Sequence, residues 1–155
     1  MSNRGIDTRL HEIIYDFYTF ARAKAKDSLV DGSGHRVIYS LRTLTRALDY
    51  IRVATPLFGY TQAAYDALFM TFISPLSPES STLLYNKLAE YELFFKMQFN
   101  NSDALFERLL NSIPKGTEPI RSRNDFVKTP SVVKRLCAIA QAILLRKVPI
   151  LLQGP

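Results

Sequence analysis

YSLRTLTRALDY, residues 39–50, is the stretch from which the fold of this chain is most readily predicted. Four apolar residues in and just after it share one face of a helix, because they follow at spacings of three, four and three: Leu41, Leu44, Leu48 and Ile51. Ser40 stands immediately before them, where a serine hydroxyl can accept a free backbone N–H of the first turn. The pattern predicts a helix that begins near Leu41 and is anchored in the core by its leucines.

The opposite face of this predicted helix carries charge, since Arg42, Arg46 and Asp49 cluster there on a helical wheel. Two interpretations are open. The first is a solvated charged face, in which Arg46 pairs with Asp49 or with water, and periodicity alone favours it. The second is that one arginine reaches a phosphate held by another domain. The C-terminal segment of the chain helps to choose between these two interpretations.

The composition is that of a folded globular protein. The chain has 155 residues, of which 47% are hydrophobic and 22% charged, enough for one domain with an apolar core. No apolar run approaches the ~20 residues of a membrane span, and the polar, then amphipathic start is unlike a signal peptide. The single cysteine, Cys137, excludes an internal disulfide and lies in an apolar pattern typical of a buried, unreactive thiol.

The charge pattern limits the classes of partner. A net charge of +6 permits an acidic partner such as nucleic acid or a bound phosphate. The basic residues are nevertheless scattered along the chain with no run of five or more, so direct binding of nucleic acid is not favoured. His11 and His35 have no Cys or His at ligand spacing, which argues against a metal site; His35 is expected to be exposed in its glycine-rich loop.

The rest of the chain is predicted to be mainly helical from its apolar periodicity and its breakers. Asp7 is expected to cap the first helix, Pro56 to stop the second and Pro75 to end the third. Ser77 and Thr129 each precede a proline, as N-caps do. The predicted helices cover residues 7–27, 41–54, about 61–74, about 78–94, 102–112 and 129–146.

Two segments suggest strands instead. Phe95, Met97 and Phe99 alternate with polar residues, which indicates a short strand, although a continued helix is equally open. Residues 148–153, VPILLQ, are apolar and end in Gly154, a pattern typical of a parallel strand buried on both faces. A strand that runs into glycine is how a phosphate-binding P-loop begins, but Gly154 and Pro155 are only the first two of its eight positions.

Together these motifs resemble the midasin family of dynein-related AAA+ ATPases. The resemblance rests on LVDGSGHRVIYSLRTLTRAL (29–48), YDALFMTF (65–72), TPSV (129–132) and VPILLQGP (148–155), whereas residues 92–125 match no family pattern. It implies a mainly α fold: an AAA+ small helical lid over residues 7–112, a connector over 113–128, and a third segment over 129–155. That third segment would be the lead-in helix and first β-strand of the next AAA+ module.

The resemblance also implies a function. Members of this family hydrolyse ATP with Mg²⁺ in the nucleus and remove assembly factors from pre-60S ribosomal particles. Arg42, in SLR, corresponds to the sensor-two arginine that points at the nucleotide, with Arg46 as the fallback. Gly154 and Pro155 correspond to the start of the next phosphate cradle. The expected partners are neighbouring AAA+ domains of the same polypeptide and, through them, pre-60S particles; no membrane is expected.

An alternative from another class remains at this point. The chain could be a free-standing helical adaptor that binds a protein or RNA through its basic surface.

The chain lacks a P-loop lysine, Walker B acids and an identifiable arginine finger, so by itself it is expected to be inactive as an ATPase.

Overall fold

The structure, a computed structural model, describes residues 4–94, 97 and 98, and a few positions further on: Thr129 and residues 132, 135, 136 and 139. The predictions for Cys137, for a strand over 148–153, for the helix over 102–112 and for Gly154 and Pro155 lie outside the described residues. Of the predicted strand over 95–99 only residues 97 and 98 are described, and neither belongs to a strand or a helix. Thr129 accepts a hydrogen bond from the backbone N–H of Val132 at 3.4 Å, as an N-cap does. The four positions described beyond it are helical, which agrees with the predicted last helix.

The chain divides into two compact units, Met1–Phe99 and Asn100–Pro155. In the first unit the described residues form four α-helices: α1 (Arg4–Asp27), α2 (Leu41–Phe58), α3 (Tyr60–Leu68) and α4 (Pro78–Ala89). A π-helical turn, Phe69–Ile73, extends α3, and a 3₁₀ turn, Glu92–Phe94, follows α4. The predicted mainly α fold is confirmed. No helix among the described residues is both long and apolar enough to cross a membrane.

Helix α1 buries one stripe of residues at helical spacing. Leu10, Ile14, Phe17 and Ala21 are all buried, and each lies three or four residues from the next. Lys24 and Lys26 occupy the last turn, where the negative end of the helix dipole favours cations. The prediction that Asp7 caps this helix is wrong, because α1 already begins at Arg4.

Helix α2 begins as predicted but does not stop at Pro56. It continues to Phe58 and ends at Gly59, whose φ of 80° suits a glycine. Proline removes one N–H and crowds one carbonyl, which is tolerable in the last turn because little of the helix remains to be disrupted. The N–H of Gly59 still donates to the Thr55 carbonyl at 2.9 Å and closes that turn.

The buried face of α2 is rotated from the predicted one: Ile51 is buried as predicted, but the prediction that the leucines anchor this helix is wrong. Leu41 is 68% and Leu48 43% exposed. The face turned to the core instead carries Ala47, Tyr50, Ile51 and Ala54. Its two alanines allow close approach to α3, the element that α2 contacts most, whose own buried residues include Ala63, Ala64 and Ala67. The leucines therefore fall at the edge of this small-residue contact.

The core is centred on Phe72 in the π-helical turn. Its ring makes edge contacts with Phe17 and Tyr18 of α1, at centroid distances of 5.8 and 6.2 Å, and with Tyr39 at 4.9 Å. The Tyr39 hydroxyl donates to the Phe72 backbone carbonyl at 2.6 Å. Carbonyls in the last turn of a helix lack intrahelical partners, so this bond satisfies a group that would otherwise be buried and unpaired.

The loop between α1 and α2 is a tight hairpin fastened to the start of α4. Val30 and Arg36 form an isolated antiparallel bridge, and the Asp31 carboxylate accepts from the N–H groups of Ser33 and His35 at 2.8 and 2.9 Å. The Val30 N–H donates to the buried Ser80 hydroxyl of α4 at 3.1 Å. His35 itself is exposed, as predicted. This loop therefore delivers the chain to residue 39 in a defined position.

Candidate functional site

The first turn of α2 is fixed on both sides. Ser40 is its N-cap: the serine hydroxyl accepts from the Thr43 N–H at 3.4 Å, and the Thr43 hydroxyl accepts from the Ser40 N–H at 3.2 Å. This reciprocal pair is a capping box, with threonine in the place usually held by glutamate or glutamine. One residue earlier, buried Tyr39 is held by Phe72. Burial of the Tyr39 phenol raises its pKa, so it stays a neutral donor at physiological pH.

Arg42 is the second residue of this anchored turn, and its side chain is exposed. Arg46, one turn further along, is also exposed. Neither guanidinium forms an ion pair or side-chain hydrogen bond within the part of the chain that the structure describes. Of the two alternatives for Arg46, pairing with Asp49 is not found, because Asp49 faces Arg52 at 3.9 Å instead. Both arginines are thus available to an external anion.

The electrostatics of this turn are unusual for a helix start. The first turn of α2 holds no acidic residue, yet Arg42 lies within it. The N-terminus of a helix carries about half a positive charge and favours anions, so an arginine there is unfavourable without a compensating partner. A phosphate placed at this end would be attracted by both the helix dipole and the guanidinium. Arg42 therefore fits a bound phosphate better than it fits the isolated domain.

Exposed apolar residues in and just before α2 lie on the side of the helix away from these arginines. Ile38, Leu41 and Leu48 are 86%, 68% and 43% exposed, and they are among the six large hydrophobic residues that stand out as exposed in the described chain. On a helical wheel Leu41 and Leu48 border the buried face on one side, and Arg42 and Arg46 border it on the other. Sequence reasoning missed this edge because it assigned the leucines to the core.

A second polar cluster joins α1 to the end of α4, and we call it the α1–α4 clasp: Asp16, Phe20, Lys87, Glu90 and Tyr91. The Tyr91 hydroxyl donates to Asp16 at 2.6 Å, and the Lys87 ammonium lies 3.4 Å from Asp16 and 3.3 Å from Glu90. The same ammonium lies over the rings of Phe20 and Tyr91, 5.5 and 5.1 Å from their centroids. Nearby, Arg9 pairs with Glu92 at 2.9 Å. The Tyr91–Asp16 bond joins residues that are 75 positions apart, so no local pattern could reveal it.

The pKa shifts in the clasp follow from these contacts. The Tyr91 hydrogen bond is the main cause that lowers the pKa of Asp16, with smaller contributions from Lys87. Burial alone would lower the pKa of Lys87, but its bonds to Glu90 and Asp16 outweigh burial and raise it. Each charge in the clasp is therefore stabilised by a partner inside the domain. An adjacent open groove of about 310 Å³ has walls that include Arg9, Glu12 and Ile13, but its acidic residues are mostly engaged in these contacts.

One charged residue lies in the core. Asp66 of α3 is fully buried and accepts from the Gln62 amide at 2.9 Å. Burial, and secondarily the charge of Asp66, raises the pKa of buried Tyr50. Among the described residues no group of three His, Cys, Asp or Glu side chains could hold a metal ion. Because Asp66 itself is fully buried, we interpret it as part of the core.

Only some of the predicted site residues lie in the part of the chain that the structure describes. Arg42 lies on the anchored, exposed start of α2, with Arg46 one turn away. Gly154 and Pro155 lie outside the described residues, so the structure does not test them as phosphate-binding positions. The residue that sequence reasoning missed is Tyr39, whose aromatic ring next to a serine cap gave only the generic signal of a hydrophobic residue before a helix.

The compact helical bundle, with an exposed arginine on the capped start of α2, is an AAA+ lid domain. The family described as the Midasin AAA lid domain matches residues 1–93. The chain therefore belongs to the midasin family. It is 31% identical to midasin of Dictyostelium discoideum over 163 aligned positions, which cover 93% of this chain but 3% of that protein. No solved structure matches the chain.

Proposed function

We propose that the helical domain is the nucleotide-sensing lid of one AAA+ module in a midasin-like ATPase. In this proposal Arg42 is the sensor-two arginine, which contacts the phosphates of ATP held by the large domain of the same module. The observation that carries the proposal is the Arg42 guanidinium, which forms no ion pair with the described residues and lies at the positive end of an anchored helix. The bound nucleotide would supply the anion that this helix start lacks.

The anchoring explains how such a contact could move the whole lid. Tyr39 joins the start of α2 to Phe72, and Phe72 packs against Phe17 and Tyr18 of α1. A displacement of the Arg42 guanidinium would therefore move the start of α2 together with the core residues packed against it. Because the backbone of this turn is already fixed, only the Arg42 side chain would have to be ordered when it contacts the phosphate. The lid would respond to the nucleotide as one body.

The remaining steps concern the intact protein, of which this chain spans only a small part if it is as long as its relative. We propose that residues 129–155 begin the next AAA+ module, with Gly154 and Pro155 opening its P-loop, and that the lid couples neighbouring AAA+ domains. The intact protein would hydrolyse ATP with Mg²⁺ in the nucleus and remove assembly factors from pre-60S ribosomal particles. Mg²⁺ would neutralise phosphate charge there, and the chain's own part is to bind and orient through Arg42.

The test is nucleotide occupancy of this one module in the full-length protein. Arg42→Ala should leave the lid folded and reduce nucleotide affinity at this module about tenfold to a hundredfold, the usual effect of losing one charged contact worth ~1.5–3 kcal/mol. Arg42→Lys should restore affinity only in part, because an ammonium lacks the planar fork of a guanidinium. Measuring occupancy per module avoids masking by the other modules of the ring.

Arg46→Ala is the matched control, since it removes an equally exposed guanidinium one turn away, which also forms no ion pair with the described residues. It should change occupancy much less. Equal occupancy in wild type and Arg42→Ala, with Arg46→Ala emptying the site, would transfer the sensor role to Arg46. If neither substitution matters, α2 presents only a solvated charged face and the proposal fails.

A further inference from the structure

We propose that the open groove between α1 and residues 90–93, just after α4, binds a basic segment of another protein. We call it the acidic groove. In the bound state its apolar walls contact leucine-like side chains of the segment, and the carboxylates around them pair with its lysines or arginines. The residues that line the groove do not belong to α2, so this inference does not depend on the role proposed for Arg42.

The acidic groove carries an excess of negative charge. Four carboxylates and one guanidinium line it: Glu12, Asp16, Glu90, Glu92 and Arg9. Even when the Lys87 ammonium, which lies against two of these carboxylates, is counted, the anions outnumber the cations by two. The whole chain has a net charge of +6, so the groove is locally opposite in sign to the rest of the molecule. Charge complementarity therefore favours a cationic partner here.

The carboxylates of the groove can still accept a cation from outside. Glu12 is exposed and forms no hydrogen bond or ion pair within the described residues. Asp16, Glu90 and Glu92 do have partners, but their side chains are 60%, 65% and 84% exposed. An ionised carboxylate offers about four lone-pair positions, so each of the three can accept from a second cation and keep its internal contact.

The acidic groove also offers apolar surface. Ile13, Tyr91 and Leu93 line it, and all three are half-buried. Covering such surface contributes about 25 cal/mol for each Å² removed from water. The groove has a volume of about 310 Å³ and is open to solvent. That shape suits a few side chains of a peptide that lies along it, whereas small-molecule sites enclose most of their ligand.

The chemistry of the groove argues against other classes of ligand. Nucleic acids and anionic lipid headgroups are negatively charged, so the carboxylates would repel them. Among the described residues no group of three His, Cys, Asp or Glu side chains could hold a metal ion. A polypeptide with lysine or arginine beside aliphatic residues supplies both the cations and the apolar groups that the groove can contact.

The experiment uses the full-length protein and a synthetic peptide of alternating leucine and lysine that carries one benzophenone side chain. After irradiation, mass spectrometry locates the crosslinks. We expect crosslinks to residues 9–16 and 90–93. Glu12→Lys should reduce their yield about threefold to tenfold, because it replaces an exposed ion pair by a contact between like charges. Since Glu12 is exposed and has no partner within the described residues, this variant should fold normally, which circular dichroism checks.

Asp27→Lys is the matched control, since it makes the same change of charge at an exposed residue about 22 Å further along α1. It should leave the crosslinks to the groove unchanged. A second control is a peptide of alternating serine and lysine, which keeps the charge and removes the apolar groups. It should crosslink to the groove several-fold less than the leucine peptide.

Three results would overturn the inference. The first is equal yield in wild type and Glu12→Lys. The second is equal yield from the serine and leucine peptides, which would mean that charge alone attracts them. The third is crosslinking only outside the groove, as would occur if a segment of the same polypeptide already filled it. None of these measurements involves nucleotide, so they leave the test of Arg42 independent.

Discussion

The charged side chains of helix α2 and those of the α1–α4 clasp differ in whether they pair with other residues of the domain. In the clasp, Asp16, Lys87 and Glu90 are paired with one another, and Tyr91 adds a hydrogen bond at 2.6 Å. On α2, Arg42 and Arg46 have no such partner within the described chain. Charges that are satisfied inside a domain contribute to holding it together, whereas unsatisfied ones at a rigid helix start are available to something outside. The comparison separates residues that maintain this lid from residues that it presents.

The largest expected effect contrasts the core with the exposed edge of α2. Phe72→Ala should destabilise the domain by ~3–5 kcal/mol, since it empties the space at the centre of the aromatic cluster. Leu41→Ala should cost less than ~0.5 kcal/mol, because that leucine is mostly in water. Urea unfolding followed by circular dichroism measures both. A loss of several kcal/mol from Leu41→Ala would restore the leucine face to the core and contradict the structure.

A smaller effect on stability is expected from the Asp16 carboxylate of the clasp. The pKa of Asp16 is below its usual 3.8 in the folded protein, so its carboxylate adds stability above about pH 4 that is lost as the pH falls through the folded-state pKa. Since Asp16 is 60% exposed, the contribution should stay below ~1 kcal/mol. Asp16→Asn should therefore lower stability at pH 7 and flatten its decline below pH 4.

The control for the clasp is Glu12→Gln, which removes another exposed carboxylate from α1. Glu12 has no hydrogen bond or ion pair within the described residues, so Glu12→Gln should change stability at pH 7 less than Asp16→Asn does. Parallel pH-dependent unfolding curves for Asp16→Asn and wild type would show that the Tyr91 and Lys87 contacts carry no free energy of folding.

The smallest expected effect concerns Arg42 on α2, and it is a gain in stability and not a loss. Arg42→Glu replaces an unfavourable cation at the helix N-terminus with a favourable anion and should stabilise the isolated domain by about 0.3–1 kcal/mol. Arg46→Glu should give less, because the dipole effect falls off beyond the first turn. Thermal unfolding at low ionic strength compares the two. Destabilisation by Arg42→Glu would mean that Arg42 has a partner inside the domain, and the argument for an external phosphate would lose its basis.

The helices and their caps could be predicted from the sequence because they depend on local chemistry. Ser40, Ser77 and Thr129 each occupy the cap that their position before a periodic run indicates. The buried face of α2 could be predicted only in part, because Ile51 forms as regular a stripe with Leu41, Leu44 and Leu48 as it does with Ala47 and Ala54. The choice between the two stripes depends on how closely α3 can approach, and only the alanines allow it.

The candidate site, like the fold, could be predicted from the sequence only in part. That Arg42 follows a capped start was visible in the sequence, and the family resemblance gave it a role. Its rigidity was not visible, because Tyr39 and Phe72 are 33 residues apart. The π-helical turn that brings Phe72 to Tyr39 also has no reliable signature in one sequence, since it differs from an α-helical turn by a single extra residue.

That extra residue makes the length of the segment matter more than its composition. The turn is closed by a hydrogen bond from the Ser74 N–H to the Phe69 carbonyl at 2.9 Å, five residues back. Met70 and Thr71 lie within it and are only half-buried, so their side chains can vary. Losing either residue altogether would rotate everything after it by about 100° around the helix. The loop that joins α3 to α4 would then leave in another direction, and insertions or deletions here should be far rarer than substitutions.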